Sequence, residues 1–163
     1  LSIGVCVVTR EGVTGGFKIN LDVQSQIEAG RTISGSTLEW WLTQDAETRD
    51  GAFDDPKNVR EALLLVREYL NTGDSVFVKG PAFDGAILDD LARDFKVPPV
   101  CHFRRWRDLR TLADVIEMSD NFDLQTAWHE MCVETSPDRA HDALADATGQ
   151  GMLLSWFWRE CAT

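Results

Sequence analysis

The chain has 163 residues, of which 44% are hydrophobic and 26% are charged, so it can enclose a hydrophobic core within one domain of ordinary size. Its formal net charge of −11 argues against a protein that coats DNA or RNA through many phosphate contacts, because such proteins are usually basic. No apolar run approaches the ~20 residues that span a membrane, and the first residues lack the pattern of a signal peptide.

The first quarter of the chain predicts a hairpin, a loop and a short helix. Residues 1–8 form an apolar, β-branched run, and residues 14–23 alternate loosely between apolar and polar side chains, so each is expected to be a strand. The polar residues 24–35 are expected to form a loop. Ser36 is then expected to cap a short helix that carries two adjacent tryptophans.

Helices alternate with strands in the middle of the chain. The Asp-Pro pair at 55–56 is expected to start a helix that runs to residue 70, because Asp suits the cap and Pro suits the first helical position. Residues 75–79 predict a short strand, and the Gly-Pro pair at 80–81 separates it from a helix over residues 83–95. This order predicts an α/β domain in which helices flank a mixed central sheet.

The last third of the chain is expected to be mainly helical. Residues 100–103 predict a short edge strand, and residues 108–118 place apolar side chains at helical spacing. Further helices are expected over residues 123–132 and 142–161. Because no repeat, low-complexity tract or long linker divides the sequence, residues 1–163 are expected to form a single domain.

One aspartate stands where the short central strand gives way to a helix. Asp84 follows the Gly-Pro break, and ligands of open α/β sheets bind beyond the carboxyl ends of the strands. The alternative is a structural role, because the helix dipole favours an acidic residue in the first turn. Position alone leaves both interpretations open.

A histidine and an aspartate lie five positions apart at the start of the last predicted helix. On one continuous helix, five positions turn a side chain by ~140°, so His141 and Asp146 would not share a face. They converge if His141 lies on the loop that leads into the helix and Asp146 lies on its first turns. The alternative is an exposed histidine and an ordinary surface aspartate.

Four short motifs occur in an order that is typical of one enzyme family. Phe-Asp-x-x-x-Leu at residues 83–88 is followed by His-x-Ala-x-x-Asp-Ala at residues 141–147, and the segments TLEWWLTQ at 37–44 and RDLRT at 107–111 accompany them. Together they resemble the 3′–5′ exonucleases of the Asp-Glu-Asp-Asp-His type, and in particular the phage DexA-like exonucleases and their bacterial exoribonuclease relatives. The resemblance covers almost the whole chain.

The resemblance implies a ribonuclease-H-like fold and a metal-dependent nuclease. Asp84 and Asp146 would hold two divalent ions, Mg²⁺ or Mn²⁺, and His141 would act as the general base. The enzyme would hydrolyse phosphodiester bonds at the 3′ ends of single-stranded nucleic acid, with DNA favoured over RNA, and release nucleoside 5′-monophosphates.

One motif of the family is missing from this chain. The family carries Asp-x-Glu on an opening strand, just ahead of the strand that residues 1–8 resemble, and this chain has no counterpart there. Asp45 and Glu47 have the right spacing but follow the tryptophan helix, so they are expected to be a solvated helix end. The domain is therefore expected to be incomplete at its N-terminus, with the missing carboxylates upstream, and to bind metal poorly by itself.

The two tryptophans have two possible roles. Neighbouring positions on a helix point ~100° apart, so one of Trp40 and Trp41 would pack inward and the other would face a cleft. An exposed indole can stack on a terminal base. Core packing is the more usual fate of tryptophan, so both roles remain open.

A local basic cluster also has two interpretations. Arg104, Arg105, Arg107 and Arg110 lie within seven positions, and such a run is either a solvated surface or part of a binding site. Within it, Asp108 and Arg110 would lie near a phosphate or ribose of the substrate. A surface ion pair between them is the alternative.

Two other functions remain possible. The chain could trim RNA 3′ ends as an exoribonuclease, or it could be an inactive nucleic-acid-binding or interaction module, because a fold does not determine function. The four cysteines are scattered and form no Cys-x-x-Cys pair, which indicates free thiols in a reducing compartment and hence the cytoplasm, without a membrane segment. The sequence does not indicate an oligomeric state.

Overall fold

The computed structural model describes residues 1–120 and 142–160. In these ranges the chain alternates strands and helices, as the sequence predicts for an α/β domain. The elements are β1 (Ser2–Thr9), β2 (Gly12–Asn20), α1 (Val23–Glu28), α2 (Gly35–Thr43), α3 (Ala46–Phe53), α4 (Val59–Leu70), β3 (Val76–Val78), α5 (Asp84–Asp94), a 3-10 turn (Phe103–Arg105), β4 (Trp106–Asp108), α6 (Leu109–Asp120) and α7 (Ala143–Glu160).

The predicted hairpin is confirmed. Strands β1 and β2 pair antiparallel from Ser2 opposite Asn20 to Thr9 opposite Gly12, with one register shift between Cys6 and Val8.

The loop predicted at residues 24–35 is wrong in its first part, because α1 forms there. The Asp22 side chain caps this helix by accepting a hydrogen bond from the Ser25 backbone N–H at 2.7 Å.

The single mixed sheet expected from the sequence is replaced by two separate strand pairs among the described residues. β1 pairs with β2, and β3 pairs in parallel with β4. The edge strand predicted at residues 100–103 is also wrong. Val100 and Cys101 are buried, and the His102 side chain accepts a hydrogen bond from the Arg104 backbone N–H, which starts the 3-10 turn and moves the strand to β4.

The helix expected from the Asp-Pro pair at 55–56 starts later than predicted. The Lys57 backbone pairs with the hairpin instead, since its N–H donates to Asn20 and its carbonyl accepts from Asp22. This extended pairing excludes helical geometry at Lys57. Asn58 therefore caps α4 in place of Asp55, through its Oδ1 and the Arg60 backbone N–H.

Two hydrophobic cores give the domain its layers. One core joins alternate residues of the hairpin to α4 and α5 and includes Ile3, Ile19, Val59, Leu63, Val66 and Leu91. The other core joins α6 to α7 and includes Leu109, Ala113, Leu153, Leu154 and Phe157. Because successive side chains of a strand point to opposite faces, the hairpin presents Ile3 to one layer and Gly4 to the other.

The helix α7 lies very close to the hairpin because small residues line the contact. A side-chain Cβ at Gly4 would lie 1.9 Å from the Ala143 carbonyl oxygen. A Cβ at Gly151 of α7 would lie 2.9 Å from methyl groups of Val8 and Val13. These glycines therefore set the distance between the hairpin and the start of α7.

The remaining predicted elements divide into two groups. The expected central strand and the helices at 83–95, 108–118 and 142–161 correspond to β3, α5, α6 and α7. The helix predicted at 123–132 lies outside the described residues. Among residues 1–120 and 142–160, no helix is long and apolar enough to span a membrane.

Candidate active site

Asp84 lies at the first position of α5, directly after β3 and the turn at Gly80. Its carboxyl is partly buried, and this burial raises its pKa, whereas the nearby Arg110 guanidinium acts in the opposite direction. A half-buried carboxylate beside a cation is a suitable group for a site that binds charged ligands. The structure thus places Asp84 where the sequence predicts it, at the carboxyl end of a strand.

Arg110 approaches the same turn from the start of α6. Its Nη1 lies 3.4 Å from the position that a Cβ would take at Gly80, which has a φ of 107°. Asp108 has a different role, because its carboxylate accepts hydrogen bonds from the Arg110 backbone N–H and the Thr111 hydroxyl, both at 3.0 Å. Asp108 thus caps α6 and leaves the guanidinium of Arg110 directed to the Asp84 region.

Asp146 lies in the first turn of α7. Its backbone N–H donates to the Asp142 carbonyl at 2.9 Å, and its side chain is exposed. Asp142 begins this helix: its Oδ1 accepts from the backbone N–H groups of Leu144 and Ala145, each at 3.0 Å. His141, the predicted general base, lies outside the described residues.

Asp84 and Asp146 line the same cavity although 62 positions separate them in the sequence. The cavity has a volume of about 760 Å³ and is also lined by Phe83, Trp106 and Gln150. Trp106 contributes an indole Nε1 that is buried without a hydrogen-bond partner in the described structure. Three aspartates, Asp74, Asp84 and Asp146, therefore line one largely apolar space together with the Trp106 indole.

The cavity follows the edges of two strands. Every residue from Leu1 to Val8 lines it, as do residues 74–78 around β3. Consecutive residues of a strand point to opposite faces, so a cavity that contacts all of them runs along the backbone edge. These are the edges of β1 and β3 that have no strand partner in the described part of the chain. The cavity is thus a gap between the two strand pairs.

The described residues do not complete a metal site. In the ranges 1–120 and 142–160, no group of three or more His, Cys, Asp or Glu side chains is arranged to hold a metal ion. Asp45 and Glu47 are exposed, as expected, but they begin a helix where a helix end was predicted. Asp45 caps α3 by accepting from the Thr48 backbone N–H at 2.9 Å.

The two tryptophans form an aromatic cluster with Phe53. Trp41 lies edge-on to Trp40 at 4.9 Å and to Phe53 at 5.8 Å between ring centroids. Trp40 is 40% exposed, whereas Trp41 is more buried. Of the predicted site residues that the structure describes, Asp84 and Asp146 line the cavity, while Trp40, Trp41, Asp108 and Arg110 do not.

Sequence reasoning missed the role of Lys18. Its Nζ donates to Asp142 Oδ2 at 2.7 Å and to the Gly51 carbonyl at 3.1 Å, so it links β2 to the start of α7 and to the last turn of α3. The only sequence signal is a lysine between two apolar residues of a strand. Such a signal does not identify the partners, which are 33 and 124 positions away.

The basic cluster divides into structural and exposed arginines. Arg105 donates to the carbonyls of Leu70 and Gly73 and to the Asn71 side chain, so it satisfies groups left unpaired where α4 ends. Arg104 lies over the Phe103 ring, 5.6 Å from its centroid. The cluster is therefore not one continuous binding surface.

Comparisons with known proteins agree with the motif analysis. The chain matches, over residues 1–158, the family described as the Rv2179c-like 3′-5′ exoribonuclease domain. It is also 30% identical over 128 residues to the exodeoxyribonuclease of Enterobacteria phage T4, an alignment that covers 65% of this chain. The alignment spans 56% of that relative's length, and no solved structure matches the chain significantly.

Both matches are to exonucleases, and they confirm the resemblance to the Asp-Glu-Asp-Asp-His type that the four motifs indicate. The family match extends from the hairpin to residue 158 in the last turn of α7 and includes Asp84 and Asp146. The chain therefore belongs to the Rv2179c-like 3′–5′ exoribonuclease domain family.

Proposed function

We propose that this domain is the larger part of a metal-dependent 3′–5′ exonuclease that removes nucleotides from single-stranded ends as 5′-monophosphates. The main support for the proposal is that Asp84 and Asp146 line the same cavity. The chain that contains them belongs to an exonuclease family. The matched family is named for RNA and the phage relative for DNA. The preference for DNA stays a prediction.

The chemistry of the two carboxylates fits a hard divalent cation. Mg²⁺ and Mn²⁺ are bound by carboxylate oxygens and water, which Asp84 and Asp146 can supply. The burial that raises the Asp84 pKa disfavours its charged form, and a bound cation would restore that form. When bound, two such ions activate a water molecule and stabilise the leaving oxygen of a phosphodiester.

A site for two metal ions needs two further carboxylates. The gap between β1 and β3 supports the proposal that an additional strand supplies them. A strand in this gap could form main-chain hydrogen bonds with both free edges, at the usual spacing of about 4.8 Å on each side. It would join the two strand pairs into the ribonuclease-H-like mixed sheet that the resemblance implies. Its side chains would lie beside Asp84 and Asp146, so we propose that this strand carries the family's Asp-x-Glu motif.

The other predicted residues have supporting roles in this proposal. His141 would accept the proton of the attacking water, since a histidine with an ordinary pKa is a suitable base near neutral pH. Arg110, beside the Asp84 turn, would bind a phosphate. The Trp40 indole, which is 40% exposed, would stack on a base, an interaction worth about 1–3 kcal/mol per base.

The test is digestion of 3′-labelled single-stranded DNA and RNA with Mg²⁺ or Mn²⁺ and with a chelator. The 163-residue chain should cleave slowly, and the same chain extended upstream by an Asp-x-Glu strand should cleave rapidly and only with metal. Release of 5′-monophosphates identifies the reaction, and the faster substrate identifies the nucleic acid. No cleavage by the extended chain would favour a non-catalytic binding module.

The cytoplasm remains the proposed location. The thiols of Cys6 and Cys101 are free in the structure, and Cys132 and Cys161 lie outside the described residues. Burial raises the pKa of Cys6 to about 11, so its thiol stays protonated and unreactive at neutral pH. Such thiols suit a reducing compartment.

A further inference from the structure

Helix α3, which follows the tryptophan helix α2, is held on the hairpin by polar contacts. Neither helix contains a fully buried residue. The last turn of α3 instead meets the hairpin through its carbonyl groups, because Asn20 Nδ2 donates to Gly51 at 3.0 Å and to Asp54 at 2.6 Å. Helix ends leave such carbonyls unpaired, so donors from the hairpin determine where α3 lies.

Lys18 extends this anchor to the helix that carries Asp146. Its ammonium group contacts the Gly51 carbonyl on one side and the Asp142 carboxylate on the other. The same carboxylate caps α7, and the Asp142 carbonyl accepts from the Asp146 backbone N–H. One side chain therefore joins the turn that bears Phe53 and the aromatic cluster to the turn that bears Asp146.

We propose that Lys18 is a positioning residue that fixes the aromatic cluster relative to Asp146, through the contact between Lys18 Nζ and both Gly51 and Asp142. The inference rests on the proposed function, in which a base stacks on Trp40 while its phosphate reaches the carboxylates. The distance between the aromatic cluster and Asp146 would then decide which phosphodiester bond reaches the carboxylates. A change in this distance would slow the reaction, because small displacements of a bound substrate are costly to reaction rate.

The pair is suited to this role by its environment. The Lys18 and Asp142 side chains are 26% and 20% exposed, so solvent screens their attraction less than that of a surface pair. Burial opposes the ionisation of Asp142, but the hydrogen bonds from Lys18, Ala145 and Leu144 together keep the pKa of its carboxyl below the ordinary value. The pair therefore stays charged at neutral pH.

The experiment compares Lys18→Met with Lys18→Arg in the full chain labelled with 5-fluorotryptophan. Fluorine resonances of Trp40 and Trp41 are assigned with Trp40→Phe and Trp41→Phe, and Trp106, packed against Gly85 in the core, is the internal reference. Lys18→Met should shift or broaden the Trp40 and Trp41 signals and leave Trp106 unchanged. Lys18→Arg should restore the parent spectrum in part, because it retains the charge and the donors.

The variant Asp142→Asn distinguishes the effect of the ion pair from the effect of the helix cap. Asparagine caps helices about as well as aspartate, so this variant keeps α7 capped but removes the charge that Lys18 meets. It should reproduce the spectral change of Lys18→Met. Because the two residues form one contact, the double variant should show no additional change.

Arg31→Met is the matched control, since Arg31 has a similar exposure of 24% and pairs with Asp90 and Asp94 at 2.9 and 2.7 Å away from the α7 start. It should leave the Trp40 and Trp41 signals at their parent positions. The same change in Arg31→Met and Lys18→Met would indicate general destabilisation and overturn the proposal. An unchanged spectrum in Lys18→Met would also overturn it.

The kinetic part of the test uses the chain extended by an Asp-x-Glu strand and a 3′-labelled oligonucleotide with Mn²⁺. Lys18→Met should lower kcat by about tenfold with KM changed by less than about twofold, because the substrate still binds but its phosphodiester bond lies displaced from the carboxylates. Absence of cleavage in the parent would contradict the proposed function, and the fluorine spectra would then decide the positioning role alone. Cleavage with an unchanged kcat in Lys18→Met would overturn the positioning role and leave the proposed function standing.

Discussion

At the scale of single residues, the environment of Asp84 opposes the ionisation of its carboxyl. Its carboxyl is partly buried, and burial raises its pKa despite the nearby Arg110. A raised folded-state pKa means that the contribution of this group to stability is present at low pH and is lost as pH rises through that pKa. Near neutral pH, the ionised Asp84 carboxylate is therefore expected to destabilise the domain, and a bound cation would offset this effect.

Replacing Asp84 by asparagine should have opposite effects on cleavage and stability. In the chain extended by Asp-x-Glu, cleavage should fall by about 100-fold or more, since a group that stabilises transition-state charge is lost. The free energy of unfolding at pH 7, measured with urea, should not decrease. Asp90→Asn on the same helix, where Asp90 pairs with Arg31, should lose some stability but keep cleavage. Equal cleavage by parent and Asp84→Asn would exclude Asp84 from the site.

The Asp142 carboxylate predicts a pH dependence of the opposite sign. Burial opposes its ionisation, but Lys18 and the backbone N–H groups of Ala145 and Leu144 lower its pKa overall. Because the unfolded value is about 3.9, the stabilisation is complete above that pH and is lost as pH falls through the lower folded-state pKa. Urea unfolding should thus show a gap between parent and Asp142→Asn at pH 6 that narrows below pH ~3.9. A gap that is constant with pH would contradict this prediction.

At the scale of elements, the contact between α7 and the hairpin depends on the absence of a side chain. A Cβ at Gly4 would lie 1.9 Å from the Ala143 carbonyl oxygen and 2.6 Å from the Leu144 nitrogen. Both neighbours are backbone atoms, so relief requires movement of the whole first turn of α7. That turn carries Asp146, which links the packing of this helix to the geometry of the site.

Gly4→Ala should therefore impair both stability and the site. The forced displacement should cost about 1–3 kcal/mol in the free energy of unfolding. Gly35→Ala is the control, because a Cβ at that first residue of α2 meets no atom within 4 Å. The control should be neutral or stabilising by about 0.4–1 kcal/mol. Urea unfolding of both variants measures the difference, and equal stabilities would show that α7 does not depend on Gly4.

A second element-scale prediction concerns the end of α4. Arg105 donates to carbonyls of Leu70 and Gly73, and Arg105→Met would leave these acceptors with fewer partners. Hydrogen bonds from a charged donor contribute more than neutral ones, so the variant should lose about 2 kcal/mol of unfolding free energy. Arg104→Met, which removes only an exposed cation near Phe103, should lose less than about 1 kcal/mol. Thermal or urea unfolding measures the free energy of unfolding of both variants, and equal losses would contradict the prediction.

At the scale of the whole molecule, the gap between β1 and β3 is the dominant feature. Within the described ranges 1–120 and 142–160, each strand presents an edge without a strand partner to a cavity of about 760 Å³, and free edges are sites of strand addition. A strand that fills the gap would turn two strand pairs into one sheet. The domain should therefore gain cooperativity as well as carboxylates when that strand is supplied.

A synthetic peptide tests this expectation directly. An extended, apolar peptide with an Asp-x-Glu centre should bind the chain, raise its unfolding temperature and confer metal-dependent cleavage. A matched peptide with Asn-x-Gln at the centre should bind and stabilise equally but confer no cleavage, because strand pairing uses the backbone. If neither peptide binds or stabilises the chain, the gap does not accept a strand.

Local sequence signals were sufficient to predict several elements of the fold and the protein family. Apolar alternation located the hairpin, and the four ordered motifs identified the exonuclease family, because these features can be read from short segments of the chain. The predictions that failed were based on local sequence, and contacts with residues distant in the chain favoured a different structure. Lys57 pairs with the hairpin and delays α4, and the tightly packed Val100 and Cys101 move the last short strand to β4.

Only the tertiary structure decided how distant groups meet. It brought Asp84 and Asp146 to one cavity, divided the expected sheet into two strand pairs, and joined Lys18 to Gly51 and Asp142. A sequence specifies such meetings through packing of the whole chain, since a lysine or an aspartate can pair with any opposite group that the fold brings near. The periodicity of one segment carries no information about its partner in another.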